Sequence, residues 1–484
     1  IVSANLNMRM GGTQSVALSM WLMYVTFYGL APTSASLSVK LLLSAFLVYT
    51  TLVCFRTHSL ANDTRIVELV QRLVKKYAPA LALVTVGLVI YLGFLSCSLS
   101  EPDSFNFARA LIRFDLEAHQ PRPPGYSLYV LLSKMAFALF EDNLAALAST
   151  SAVSGALCLL PVYAIVNKMY DRQTAVVTCL ALMSTRMYWL TSEKAVAHMF
   201  GTFLMTLGIC LLYLGLKGDR KLLLISWPVA GIALGVQPSY LPFLGLWLYG
   251  TARDRDLRRL PMCLTLFMCA LLSWLIPTSL LTGWEKFWEL IRRQYAYVSV
   301  GEFLRGRSGT PPFERLLFML GEFISFGFGA PTWLTYPQSY PLGLQDILPV
   351  VILGLLTALV ILGVTPRLVG KWSSKKTFLV LWTVPYFIFV YSASTPGNPR
   401  YFLPLVPPIV IALVSTVWSA AKSTKDKGKL NLRGRLLFGL VAALILFNFL
   451  HSARLAAIVH TTEVPVGQLT QYVKNSYGRD TVVI

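Results

Sequence analysis

The sequence predicts an all-α polytopic membrane protein of about 13 transmembrane helices, and three observations carry that prediction. Apolar residues make up 55% of the 484-residue chain and charged residues 13%, about half the charged share of a soluble domain. The apolar residues come in continuous runs rather than in alternation, which excludes a transmembrane β-barrel. The charged residues sort into two sets of loops that alternate between the runs, as they do on the two sides of a membrane. The same composition excludes a soluble enzyme, a nucleic-acid-binding domain and a disordered tail.

In chain order, apolar runs fall at 14–31, 37–56, 77–98, 144–166, 174–191, 195–216, 222–236, 238–250, 260–281, 346–365, 377–393, 401–421 and 436–451. Residues 1–60 read as an accessory helix pair, and 61–76 as an amphipathic cytoplasmic connector. The transmembrane body spans 77–451. Gln237-Pro238 interrupts the pair at 222–250, so two half-length or kinked helices are expected there. Gly125–Phe140 suffices only for a partial crossing. Beyond the last run, 469–477 reads as a helix and 481–484 as an apolar β-branched stretch. These are expected to open a soluble extracytoplasmic domain that starts at 452 and continues beyond residue 484.

The net charge of +20 reports orientation. Loops at Arg9, 56–76, 168–172, 217–221, 253–259, 367–376 and 422–435 hold 25 Lys+Arg against 7 Asp+Glu, and the remainder of the chain holds 17 against 15. The first set, with the N-terminus, is expected in the cytoplasm beside anionic lipid headgroups, and nucleic acid is not needed. The seven cysteines show no CxxC pair, which supports neither a disulfide framework nor a zinc site.

Fifteen of the 22 acidic residues face the extracytoplasmic side, where three segments carry candidate chemistry. Glu101 to Asn106 leads into a helix with Phe107, Ala110, Leu111 and Phe114 on one face and Asn106, Arg109, Arg113 and Glu117 on the other. That helix is expected to lie on the membrane surface in the first large extracytoplasmic loop, its apolar side in the headgroup boundary. A rigid turn, His119 to Tyr126, returns the chain to the membrane, so His119 and Arg122 are able to fold back towards Asp103. Asp103 reads equally as a helix N-cap, and His119 as a loop-packing histidine.

In the second segment, Glu193 and Lys194 sit at the outer membrane edge and His198 one turn inside the next helix. Ionisable groups at that depth are functional or paired; a structural Glu193–Lys194 or Glu193–His198 pair is the competing reading. In the third, the turn before Arg400 and Tyr401 offers backbone N–H groups and a guanidinium together, which suits a phosphate, unless Arg400 only snorkels to the headgroups. Gln237 either lines the same cavity or marks a kink. The chain has no Walker A, GxSxG, HExxH or dinucleotide-binding motif.

Taken together, Glu101–Asn106, His119–Tyr129 (HQPRPPGYSLY), Ser192–His198, Gly235–Tyr249 (GVQPSYLPFLGLWLY) and Gly397–Pro404 (GNPRYFLP) resemble the GT-C class of membrane glycosyltransferases. The likeness is to the protein O-mannosyltransferase and aminoarabinose-transferase group, over roughly residues 77–460. It implies a GT-C-like fold and inverting transfer of a monosaccharide from a polyprenyl-phosphate carrier to a glycan, lipid or protein acceptor outside the cytoplasm. It also implies a catalytic or acceptor-binding carboxylate at Asp103.

On this reading Asp103 is the general base for the acceptor hydroxyl, and Glu193 a second carboxylate or metal contact. Arg122, Lys194 and Arg400 stabilise the departing phosphate. Glu101, His119, His198, Gln237 and Tyr401 complete the substrate-binding set. The donor carries its own leaving group, so no cofactor is required; a divalent metal is an option at Asp103 and Glu193. The expected location is the plasma membrane, or the endoplasmic reticulum in a eukaryote. Two rival readings stay open: a multi-pass transporter or lipid flippase with pseudo-symmetric repeats, and a non-catalytic membrane subunit in which Asp103 caps its own helix.

Overall fold

The computed structural model describes residues 64–253, 259–296, 311–331, 347–359, 373–393, 397–423, 425–426, 429–430 and 432–463. The helix pair at 1–60 and the soluble segment expected after 463 lie outside them. The helices are α1 (Thr64–Gly93), α2 (Pro102–Ile112), α3 (Ser127–Phe140), α4 (Asn143–Met169), α5 (Arg172–Ser184), α6 (Arg186–Ser192), α7 (His198–Leu216) and α8 (Arg220–Val236). A 3₁₀ turn at Pro238–Phe243 precedes α9 (Leu244–Arg253). There follow α10 (Leu260–Thr282), α11 (Trp284–Ala296), α12 (Pro312–Glu322), a π-turn at Phe323–Gly327, α13 (Ile347–Leu359) and α14 (Ser374–Ala393). A second 3₁₀ turn, Pro399–Leu405, leads into α15 (Val406–Ser423), and a two-residue β-hairpin separates it from α16 (Leu432–Thr461). Six spans among the described residues are long and apolar enough to cross a bilayer: Asn143–Met169, His198–Leu216, Leu260–Thr282, Ser374–Ala393, Pro399–Lys422 and Gly434–Thr461. The chain is an integral, multi-pass, all-α membrane protein.

Small residues explain why α4 is central. Ala148, Ser151, Ala152, Gly155 and Ala156 are buried, and such residues let helix backbones approach where lipid offers no hydrophobic drive. A Cβ on Gly155 would run into the Ser192 side chain, so α4 and the end of α6 touch there. Short turns are closed by their own sequence: Asp142 accepts from Ala145 N (2.7 Å) at the start of α4, and Asp171 from Thr174 N (2.9 Å) at the start of α5. At that same end of the bundle Asp171 pairs with Lys422 at 2.7 Å. On α14, by contrast, Val380, Val384 and Ile388 form an exposed i, i+4, i+8 stripe suited to lipid.

Several expectations are corrected. The apolar run at 174–191 is not one helix. Ser184 and Thr185 turn their hydroxyls onto Ala181 O and Leu182 O, Thr185 is extended, and Ser452 Oγ takes the Ser184 carbonyl at 2.9 Å. Side-chain hydroxyls thus replace the helical ladder without a proline. α1 runs unbroken from Thr64, inside the expected connector, to Gly93. The last helix continues ten residues past His451, to Thr461, where nothing in the sequence breaks it and His460 Nδ1 meets Leu95 O at 2.6 Å.

The surface helix also differs from expectation. α2 buries Phe107, Ala110 and Leu111 as patterned, but against Tyr129, Leu147 and Phe200 rather than in headgroups. It stops at Ile112, because Asp115 Oδ1 accepts the N–H groups of Glu117 and Ala118 (3.1 and 3.2 Å) and turns the chain. The interfacial pattern belongs instead to α11, which packs Phe287 and Leu290 on Leu116 and exposes Trp284 and Tyr295.

Candidate active site

The loop after α1, the α6–α7 turn and the turn before α15 meet at one end of the bundle. Pro102 opens α2 and Asp103 sits in its first turn, where the helix dipole favours a carboxylate. Glu101 holds the N-cap position, yet its side chain does not cap. Both carboxylates point to basic groups. Arg400 Nη1 lies 2.6 Å from Glu101 Oε2 and 3.1 Å from Asp103 Oδ2. Lys194 Nζ stands 3.6 Å from Glu101 and Arg122 Nε 3.5 Å from Asp103. Asp103 is therefore not the helix cap of the bland reading: it is one corner of a network of two anions and three cations.

Local sequence aims each member. Backbone pairing of Asp115 with Gln120, in both directions at 2.7 and 2.8 Å, closes the loop after α2. Gly125 follows with φ +116°, where a Cβ would stand 3.1–3.3 Å from Thr278, Phe114 and Leu116, so glycine alone fits and Arg122 is carried back over α2. Ser151 on α4 bonds Val196 O at 2.9 Å and secures the turn that bears Lys194. Gly397 (φ +96°) opens the turn that presents Arg400, and its N–H donates to Glu322 Oε1 at 2.7 Å.

Beneath the network lies a buried aromatic and polar floor. His198, the first residue of α7, is 7% exposed, and its ring meets Tyr401 edge-to-face at 6.1 Å. Arg400 in turn lies over the Tyr401 ring, 5.7 Å from its centroid. Gln237 ends α8 and packs on Gly201 of α7 together with Tyr240, whose hydroxyl reaches Thr202 at 3.1 Å. Gln237 thus lies one layer below His198 at the helix break, and its Oε1 is buried without a partner.

Burial alone would raise the Glu101 carboxyl, but Lys194 and Arg400 outweigh it and hold the group below the usual carboxylate range. Glu193 shows the opposite balance. Its side chain is wholly buried beside Tyr91 and Trp189, and burial drives its carboxyl well above the ordinary value despite Lys194 next door. Neither Glu193 oxygen makes a well-formed hydrogen bond, and the side chain takes no part in the network.

The structure therefore brings Glu101, Asp103, Arg122, Lys194, His198, Arg400 and Tyr401 together, with Gln237 underneath. His119 is separate: it stands exposed at the tip of the closed turn, φ 54°, held by its backbone N–H on Leu116 O. Among the described residues no three His, Cys, Asp or Glu side chains gather to hold a metal ion. Glu101 and Asp103 instead face basic partners. Glu322 is the residue that sequence reasoning misses. It is 1% exposed at the end of an apolar helix, and only its contact with Gly397 reveals it.

An apolar groove of about 470 Å³, lined by Ile90, Met183, Trp418, Phe438, Ile445 and Phe449, runs along α1, α5 and α16. Phe449 meets Trp189 edge-to-face at 5.1 Å, one turn below Glu193 and Lys194.

The model of the Alg9-like mannosyltransferase family matches residues 124–478. The fold is similar to that of ArnT from Cupriavidus metallidurans bound to undecaprenyl phosphate, with TM-score 0.53 and 15% identity, covering 79% of this chain and 77% of that one. It is also similar to the apo oligosaccharyltransferase of Archaeoglobus fulgidus, with TM-score 0.51 and 14% identity, covering 84% of this chain and 59% of that one. This chain thus spans about three-fifths of the oligosaccharyltransferase. No curated protein matches the sequence.

Proposed function

The chain belongs to the Alg9-like mannosyltransferase family of GT-C glycosyltransferases, and on that premise we propose that it moves one sugar from a polyprenyl-phosphate carrier to an acceptor hydroxyl on the extracytoplasmic face. The observation that carries the proposal is Asp103, which faces Arg400 and Arg122 instead of capping α2. In this reading Asp103 accepts the acceptor proton as the oxygen attacks the anomeric carbon from the side opposite the phosphate. The carbon–oxygen bond to phosphate breaks with inversion, and the phosphate leaves with the electron pair. Arg400 and Lys194 exchange their carboxylate contacts for the phosphate oxygens, and Arg122 completes the positive surround. Glu101 keeps these cations aimed between turnovers, while His198 and Tyr401 form the floor under the sugar.

The groove along α1, α5 and α16 suits the isoprenoid tail, since its lining is apolar and its upper end reaches Trp189, one turn below Glu193 and Lys194. The undecaprenyl phosphate bound in the ArnT structure supports a carrier of this chemistry, and the family description makes mannose the first sugar to test. Residues 77–461 would form the catalytic domain, with 1–60 accessory and the N-terminus cytoplasmic, in the plasma membrane or the endoplasmic reticulum. The acceptor is a glycan, lipid or protein. No step is assigned to Glu193, His119 or a metal.

The test is transfer from a panel of radiolabelled polyprenyl-phosphate sugars in proteoliposomes, by wild type and Asp103→Asn. One donor should turn over, with a loss of about 10²–10⁴-fold in the variant. Undiminished turnover in folded Asp103→Asn overturns the base assignment. Failure of wild type to bind or turn over any donor overturns the transferase reading.

A further inference from the structure

Among the described helices α11 is the most strongly amphipathic, and its residues sort into three sectors. Phe287 and Leu290 face inward and are buried. Trp284, Trp288, Ile291 and Tyr295, at i, i+4, i+7 and i+11, form the adjoining stripe, whose two ends, Trp284 and Tyr295, are exposed. Glu285, Glu289, Arg292 and Arg293 fill the opposite side. An aromatic stripe between a packed face and a charged one is the pattern of a helix lying in the headgroup layer. The chain before it agrees. Leu280 and Leu281 are exposed in the last turn of α10, an apolar helix long enough to cross the bilayer. Gly283 (φ +90°) then turns the chain, and its carbonyl accepts the Phe287 N–H at 2.8 Å. α11 therefore begins where α10 leaves the lipid.

The inward face of α11 supports the turn that carries Arg122. Leu116 is 1% exposed, although Glu117, Ala118 and His119 beside it are exposed, and it is buried by Phe287 and Leu290 with Phe114 and Leu275 around them. Lys286 Nζ adds a contact of 2.9 Å to Glu117 Oε1, which on an exposed surface gives direction more than stability. At the other end of the turn, a Cβ on Gly125 would stand 3.1 Å from Thr278 of α10. The α10–α11 corner thus touches the turn at both ends. Arg122, between them, is 42% exposed and stands 3.5 Å from Asp103, so the position of its charge depends on the turn beneath it.

We propose that α11 is a membrane-surface strut: its aromatic stripe rests in the headgroup layer, and Phe287 under Leu116 holds the 113–125 turn so that Arg122 stays over Asp103. Phe287 is a positioning residue that acts through Arg122. Its effect on rate rests on the reading of Arg122 as a cation at the leaving phosphate; its effect on the turn does not.

The test uses the full chain in nanodiscs of phosphatidylcholine and phosphatidylglycerol. Hydrogen exchange read by mass spectrometry follows residues 113–125, where the Asp115 and Gln120 N–H groups are paired. Phe287→Ala should speed exchange in that segment about tenfold and leave α4 and α7 at the wild-type rate. Phe287→Leu should restore most of the protection, and Trp284→Gln/Tyr295→Gln should loosen the same segment. The fluorescence that Trp284 contributes, wild type less Trp284→Phe, should be quenched by lipids brominated near the headgroup. Phe287→Ala should lower kcat about 10–10²-fold, with the donor KM within about threefold. It should lower kcat no further in an Arg122→Gln background, where a general loss of packing would still add. The strut is overturned if Phe287→Ala leaves the segment at the wild-type rate, or if α4 loosens with it. A segment unaffected by the Trp284→Gln/Tyr295→Gln pair, or an unquenched Trp284, overturns the seat in the headgroup layer. Additive loss in the Arg122→Gln background overturns action through Arg122. Loosened exchange together with full activity of Arg122→Gln leaves the strut standing and overturns instead the role of Arg122 at the phosphate. Should Phe287→Ala fail to fold, Phe287→Val and Leu116→Val shorten the same contact from its two sides and are read in the same way.

Discussion

Replacing Arg400 with glutamine removes the one group that touches both carboxylates of the network. The guanidinium makes contacts of 2.6 Å to Glu101 and 3.1 Å to Asp103, and all three side chains are about a quarter exposed or less. A hydrogen bond to a charged partner contributes about 1.5–3 kcal/mol, so two of them give a gross loss of about 3–6 kcal/mol. Residual exposure and the desolvation relieved by deleting the cation reduce the net to about 2–4 kcal/mol. The two anions then keep only Lys194 and Arg122, at 3.6 and 3.5 Å. In the proposed reaction the same arginine meets the leaving phosphate, and loss of one such stabilising group lowers kcat about 10²–10³-fold. The assay is steady-state transfer from the preferred polyprenyl-phosphate sugar, with kcat and KM separated and thermal unfolding as the folding control. Arg400→Lys should recover part of the loss, since it restores charge but not the planar fork. If folded Arg400→Gln keeps kcat within about threefold of wild type, the role of Arg400 at the phosphate is wrong.

Glu322→Ala should lower kcat, as a weaker form of the Arg400 loss, by freeing the Gly397 N–H and the turn that aims Arg400, at about 1–3 kcal/mol. Glu322→Gln, which keeps an acceptor oxygen, should rescue kcat; equal behaviour of the two variants argues against positioning. Gly235→Ala places a Cβ 2.5 Å from Trp274 Nε1, and overpacking of this kind lowers stability by about 1–3 kcal/mol, which thermal unfolding would register. Because Glu101 is held below its ordinary 4.5 in the folded protein, its pairing stabilises above that pH and is lost as pH falls through the depressed value. Acid unfolding curves should therefore flatten below about pH 4.5 in Glu101→Gln; curves that superimpose on wild type would remove Glu101 from the acid response.

What the sequence made legible follows the range of the interactions. The long apolar runs announce α4, α7, α10, α14 and α15 because burial in lipid needs only composition and length. Arg122 folds back onto Asp103 as expected, since a stiff turn of local residues directs it. The Arg400–Glu101 contact joins residues 299 positions apart, and no local pattern encodes such a pairing. The break at Thr185 escapes detection because serine and threonine hydroxyls make it, without the proline or glycine that marks other breaks. Glu193 and Lys194 are neighbours with opposite fates. Spacing puts both at the membrane edge, but only packing decides that one faces the network and the other the Tyr91 and Trp189 side.

The Arg400–Glu101 bridge also sets an order of events during synthesis. A ribosome that has released the first helices into the membrane leaves Glu101 and Asp103 at the surface without their arginine until some three hundred further residues have emerged. The final helix arrives later still, and its Val459 carbonyl and His460 ring then close on Cys97 and Leu95. Until Arg400 arrives the nascent chain presents an acidic edge held only by Arg122 and Lys194, at 3.5 and 3.6 Å, a feature that a quality-control factor could read as unfinished. Premature termination within α14 would therefore leave a protein with most of its crossings in place and with Asp103 lacking its contact to Arg400.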